Sequence, residues 1–492
     1  MGANVSGYDV HAMIELSSAR INYMPREKLD LIAHLMRRAG FGASWDELKM
    51  LEENGYDATL KGLLDFPTAN VRMDESLIRR YHPDSNAMMA QFGTPIIWLY
   101  DMVSTSAPLQ EKMALFWHGV FATATSKMQM GKLILDQIKM FRQHGMGNFP
   151  TLLYKLSTDP AMVYWLDNHD NHKGAINENY GRELLELFSM GVGNYTEQDV
   201  KEAARAFTGW SLDDIDYIKE RNVRGSIWPY GLTGWEFAYN DEDNDKGEKE
   251  FLGHRGNYNG EDIIKIICQQ PATARFIARH LYNFFVADEP LVPQWPYIPP
   301  KDPRAIELLV DAYYESNYNI GHMLSVLFSS EFFKSKECWN SKVKSPAELA
   351  VGVLRLTNEC SHPQREMHNI SRQVAFMGQD LMNPPGVEGW HGGQDWIESG
   401  TLVERINFAS EHIGNLDAPG VKTIIGAINT NDPEQLIDSC LDHLGAISIN
   451  EDTRASILRF VDKCDPDKGF IDEALVLNVL RMIVSSQEFQ RV

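Results

Sequence analysis

PLQEKMALFWHGVF, residues 108–121, decides the class of fold. Its leading proline stands where a first helical turn has no use for the missing N–H. The rest of the segment becomes almost wholly apolar, and a helix that is apolar all round has to be buried. Outward from it the same grammar repeats. MPREKLDLIAHLMRR, residues 24–38, reads as a helix stopped by Gly40, Phe41 and Gly42. Ser44 to Glu47 then has the form of a capping box, in which Ser44 and Glu47 satisfy free amides at the next helix start. YTEQDVKEAARAFTGW, residues 195–210, offers Thr196 as cap, Glu197 and Asp199 at the positive helix end, and Gly209 as stop. Further helices are read over 272–285, 304–316, 346–357 and 401–413. The expected fold is mainly α, a large multi-helix globular body.

Residues 211–260 break this pattern. Aromatics are spaced among polar residues at Trp228, Tyr230, Trp235, Phe237 and Tyr239, and then comes NDEDNDKGEKEFLG. That reads as a small β or irregular excursion on the helical body. Its acidic run from Asp241 has the look of a calcium loop, but the glycine falls one place late and Leu252 stands where a bidentate Glu belongs. An EF-hand is excluded there. LSVLFSSEFF at 324–333 resembles LRMIVSSQEF at 480–489, two apolar helix ends followed by turn-forming serines. Two such copies do not make a solenoid.

The chain has 492 residues, enough for two or three ordinary domains or one large helical one. The expected organisation is an N-terminal extension over 1–25, a helical core over 26–415 that includes the excursion, and a C-terminal helical part over 416–492 packed on it. Hydrophobic content of 43% exceeds what a disordered chain carries. A net charge of −22 repels phosphate backbones, which argues against nucleic acid as a partner. No run approaches the roughly 18 apolar residues of a membrane span. The start, MGANVSGYDVHAM, lacks the basic-then-apolar order of a secretory signal, so the sequence as it stands reads as cytoplasmic. It also fits a loose N-myristoylation pattern, whose few fixed positions carry little weight. The cysteines Cys268, Cys338, Cys360, Cys440 and Cys464 are scattered and never in CxxC spacing, which favours reduced structural thiols.

The densest polar stretch is DNHDNHKG at 167–174, with NENYGRELLEL after it at 177–187. If the second piece is helical, Glu178, Arg182 and Glu186 share one face, with Glu183 further round and Tyr180, Leu184, Leu187 and Phe188 opposite. As a surface this is an ordinary amphipathic helix with an Arg between two Glu. As a cleft it is a candidate catalytic group, Glu178, Arg182, Glu183 and Glu186, able to combine an acid/base pair with an electrostatic clamp. Asp167 and Asn168 with Glu178 would suit a hard cation. His118, inside its apolar helix, is either a core histidine with one satisfied hydrogen bond or a proton carrier with a pKa lowered by burial. NPPGVEGWHGGQDW at 383–396 is a stiff, glycine-punctuated loop whose Trp390 and Trp396 either plug the core or stack on a ligand. No GxSxG elbow, P-loop, HExxH or GxGxxG accompanies these features, so serine-hydrolase, NTPase and Rossmann readings lack support and the sequence identifies no particular cofactor or metal.

Taken together, HLMRRAGFGAS from His34, FWHGVFAT from Phe116, WLDNHDNHKGAINENYGRELLELFSMGVGNYTEQDVKEAARAFTGW from Trp165, KEFLGHRGNYNGEDII from Lys249, PATARFIARHLYNFFV from Pro271 and NPPGVEGWHGGQDWI from Asn383 resemble the bacterial family called domain of unknown function 1800. The resemblance runs from about residue 26 to the C-terminus. It implies an all-helical fold with small excursions and no established activity. It also implies export in many members, and a possible protein partner from a neighbouring sulfatase-like family. The chain departs from it in showing no obvious signal and in reading DNDKGEKEFLG where relatives tend to have a His-Asp pair before the glycine. The family-like positions singled out are His118, Asp167, Asn168, Asn177, Glu178, Arg182, Glu183, Glu186, Arg205, Trp210 and Trp390, with Asp167, Asn168, Asn177, Arg205, Trp210 and Trp390 as ligand-binding candidates. Two functions compete: a hydrolase-like enzyme or ligand-binding protein, and a non-catalytic scaffold acting with a partner.

Overall fold

The computed structural model describes residues 25–65, 75–82, 93–128, 130–214, 235–464 and 471–492. Residues 1–24 of the expected 1–25 extension, the N-myristoylation pattern, Trp228 and Tyr230 lie outside them, and Pro25 opens the first helix. The fold is mainly α, with two small antiparallel strand pairs.

Capping decides where the helices start. Ser44 accepts the Glu47 amide at the head of Trp45–Asn54. Thr196 forms a reciprocal box with Asp199 at the head of Glu197–Ala206, satisfying two amides that the helix cannot. Gly209, expected as the stop, has φ +77°, and a Cβ there would lie 2.4 Å from the Asn240 carbonyl. The paired sequences LSVLFSSEFF and LRMIVSSQEF share a physical device: the Ser330 hydroxyl accepts the Phe333 amide, and the Ser486 hydroxyl accepts the Phe489 amide. Each turn thereby folds a phenylalanine back into the core.

The Pro108–Val120 helix is buried along nearly its whole length, its polar first turn included. Those charges are matched. Glu111 and Asp101 both take Arg142, each at 3.0 Å from Nη2, and Lys112 pairs with Glu348 of the Pro346–Thr357 helix. Further along, Trp117 donates its indole N–H to the Gly145 carbonyl at 2.8 Å and stacks on Phe121. One apolar cluster runs from Leu29 to Phe489, so residues beyond 416 share a core with the earlier helices.

The excursion resolves into strands β1 (Trp210–Asp214) and β2 (Trp235–Tyr239), paired Trp210 to Tyr239, and β3 (Lys249–Phe251) and β4 (His254–Gly256). Leu252 and Gly253 both have positive φ, the requirement of a tight two-residue hairpin turn. All five cysteines are free, and four of them are buried. Among the described residues no helix is long and apolar enough to cross a membrane.

Candidate functional site

The loop from Asn383 is fastened where the Pro108–Val120 helix ends. Asn383 accepts the Ser126 amide at 3.1 Å, and the Met382 carbonyl accepts the Thr125 amide at 3.0 Å. Gly389, at φ +79°, presses directly on that helix: a Cβ would lie 2.0 Å from the Gly119 carbonyl oxygen. Only glycine permits both this dihedral and this approach. The next residue, Trp390, lies over His118 with ring centroids 5.3 Å apart, and Trp98 meets the histidine edge-on. Trp396 is a core residue packed beside Gly378.

His118 is fully buried, and burial pushes its pKa down to about 3. It is a core histidine, as one reading expects, but neither ring nitrogen finds a hydrogen-bond partner among the described residues. The single satisfied bond expected of it is absent there.

Facing this loop is the Asn179–Glu186 helix. Gly181 lets it press on the Glu197–Ala206 helix, where a Cβ would lie 2.9 Å from the Ala204 amide. Tyr180, Leu184 and Leu185 are buried, while Glu183 and Glu186, three residues apart, remain partly open. Burial first, and then the charge of Glu186, push Glu183 up to about 7; Arg182 pulls the other way, and Glu388 from the loop adds the smallest push. Tyr195 donates its hydroxyl to Glu186 at 2.7 Å.

The Arg182 clamp takes another form. Its guanidinium makes a two-pronged pair with Glu197 at 2.9 and 2.6 Å and lies 3.7 Å from Glu178, on the open side of the helix. The expected Glu178–Arg182–Glu186 row is thus divided, with Glu186 held by Tyr195 instead. Glu388, Tyr195 and Glu197 escape sequence reasoning, and for Glu388 no spacing rule joins a loop to a helix so far away in the chain.

The remaining candidates form a polar knot. Asn168 donates to the carbonyls of Trp210 and Phe207, at 2.8 and 3.3 Å. Asn171 joins the Asn168 side chain to the Ala204 carbonyl and accepts the Asn177 amide. Asn177 in turn reaches the Asp167 carbonyl, and the Asp167 carboxylate takes Lys127 at 2.6 Å. Trp210 is buried between Phe207 and Phe237. Arg205 binds Asp245 of the acidic loop at 2.7 Å. In that loop Asp243 takes His172 at 2.6 Å and Asp241 pairs with Lys246.

These side chains bind the chain's own backbone and charges: Asn168 ties the 166–179 segment to Trp210, Asn177 closes that segment on itself, and Arg205 ties the Glu197–Ala206 helix to the acidic loop. Among the described residues no group of three or more His, Cys, Asp or Glu is arranged to hold a metal ion. Asn168→Ala is expected to cost about 1–3 kcal/mol, because the Trp210 carbonyl loses this donor and the Phe207 carbonyl keeps the Trp210 amide. Chemical denaturation measures it; a change below about 0.5 kcal/mol would contradict this role.

Fold and site together define a mainly helical protein with a glycine-seated loop that lays Trp390 on His118 of the Pro108–Val120 helix and brings Glu388 near Glu183 of the Asn179–Glu186 helix. The chain belongs to the family described as "Protein of unknown function (DUF1800)", whose model matches residues 34–491. No curated protein and no solved structure matches it.

Proposed function

We propose that the protein is a general acid–base enzyme, hydrolase-like in chemistry, with Glu183 as the proton donor. The observation that carries the reading is the crowding of Glu183 by burial, Glu186 and Glu388, which brings its carboxyl up to about 7. A carboxyl poised near the working pH is partly protonated there and can both give and take a proton. Glu186, oriented by the Tyr195 hydroxyl, is the companion carboxylate, and Trp390 supplies a flat apolar wall over His118. Three carboxylates disfavour an anionic substrate, so the substrate class is a neutral or cationic polar molecule. Arg182, committed to Glu197, positions the helix instead of clamping substrate. His118 belongs to the floor. The scaffold alternative needs an exposed aromatic surface at Trp390 and Trp396, and the burial of Trp396 weighs against it.

The raised pKa gives the pH effect its sign. The folded state holds the Glu183 proton more tightly than the unfolded chain, so this group's contribution to stability is present below about 4.5 and is lost as pH rises towards about 7. Glu183→Gln should remove that slope. In a panel of chromogenic esters, amides and glycosides, any turnover should fall about 10²–10⁴-fold in Glu183→Gln and lose a pH limb near 7. A carboxyl-carbon NMR titration that places Glu183 at its ordinary value near 4.5 ends the reading.

A further inference from the structure

A cleft of about 700 Å³ opens where the Met367–Phe376 helix meets the end of the Ser399–Ile413 helix and the start of the Pro419–Ala427 helix. That is the size of a small-molecule site, with room for an organic molecule and not for water alone. It shares no residue with the Glu183 group. One wall is locked by its own hydrogen bonds. Glu359 receives the His412 ring nitrogen Nδ1 on one carboxylate oxygen and the Asn415 amide on the other, and takes the Thr357 hydroxyl at 3.3 Å. The Gln364 amide closes on the Glu359 carbonyl. In the neutral ring Nδ1 is the donor to that carboxylate, so His412 Nε2 is an acceptor, and it is enclosed without a partner among the described residues. Glu359 itself is spent within the wall.

The rest of the lining is not used up by the chain. Glu366, Glu411 and Asp417 bring three more carboxylates, against the single guanidinium of Arg372. Asp417 has Lys422 at 3.8 Å, whereas Glu411 receives only the Gln373 amide at 3.4 Å. Glu366 opens the Met367–Phe376 helix without a side-chain cap bond, and its carboxylate has no partner among the described residues. Arg372 neutralises neither of these two; it lies over the Phe376 ring, 5.6 Å from its centre. Phe376 is 57% exposed, a large apolar ring left open on the same lining. A cleft lined by one sign of charge concentrates the field that draws in the opposite one.

Acceptors in excess beside an open aromatic ring match a ligand with N–H donors, a positive charge and an apolar body. We propose that this cleft is a binding site for a small organic ammonium ion, its nitrogen held by Glu366 and Glu411 and its apolar part laid against Phe376. The locked Glu359–His412–Asn415 wall gives the site its shape, and the two open carboxylates give it its preference for charge. The site is independent of the Glu183 chemistry, because it is read by binding and not by turnover.

The test is titration calorimetry of the full chain at constant ionic strength with benzylamine, using benzyl alcohol and benzoate as its neutral and anionic matches. The expected result is one-site, saturable binding of benzylamine with a Kd at or below about 1 mM, about tenfold weaker binding of benzyl alcohol, and none of benzoate. Glu366→Gln and Glu411→Gln should each weaken benzylamine about tenfold. Both positions are exposed, so the Tm of each variant without ligand should match the wild type. The net charge of −22 also attracts amines diffusely, and Glu261→Gln, an exposed charge outside the cleft, measures that background. Equal loss in Glu261→Gln and Glu366→Gln overturns the proposal. So does benzyl alcohol or benzoate binding as tightly as the amine, the first making the cleft merely apolar and the second making it an Arg372 site. A benzylamine response that does not saturate has the same consequence.

Discussion

Gly389→Ala is expected to cost about 3–5 kcal/mol of folding stability, read as a lower urea midpoint at unchanged m-value. Two penalties act together. The backbone at φ +79° resists any L side chain, and the added Cβ would lie 2.0 Å from the Gly119 carbonyl oxygen. Neither partner yields easily: Gly119 belongs to a buried helix, and the loop is fastened at Asn383 and Met382. If the loop lifts instead of the whole chain unfolding, Trp390 moves off His118 and tryptophan fluorescence reports it. A variant as stable as the wild type, with unchanged fluorescence, would show that the loop does not bear on this helix as described.

Glu348→Gln should be as damaging, at about 3–5 kcal/mol, because it strips the charge partner from a buried lysine. Burial opposes ionisation of Glu348, yet the charge and hydrogen bond of Lys112 and the Ser345 amide hold its carboxyl down at about 2. Glutamine can still accept the Ser345 amide, so the cap survives and the lost charge is isolated. Lys112→Met in the same background should restore most of the stability, giving a coupling energy of about 2 kcal/mol or more in a double-mutant cycle. Additive single effects would mean that the pair contributes nothing as a pair.

The features legible in the sequence are local ones. Proline at Pro108, the cap at Thr196 and the stop at Gly209 act within a few residues, and the helices begin and end within a few residues of those signals. In the excursion, β2 is legible from the alternation of Trp235, Phe237 and Tyr239, whereas β1, β3 and β4 carry no such pattern. The site is legible only in part. Glu183 and Glu186 stand out by their helical spacing, but the further carboxylate beside Glu183 is Glu388 of a distant loop, and no periodicity joins those two. The asparagines at 168 and 177 read as ligand groups because a side chain bound to backbone leaves the same letter as one bound to substrate. Buried cations such as Lys344 and Arg405 carry no signal of their own in the sequence, since such residues are almost never enclosed unless paired.

The contact between Gly389 and Gly119 also sets an order of events during folding. Its two partners are far apart in the chain, so the loop that joins them closes late and slowly. Until it closes, Glu183 has burial and Glu186 acting on it but not Glu388, so the loop adds the last carboxylate to the site.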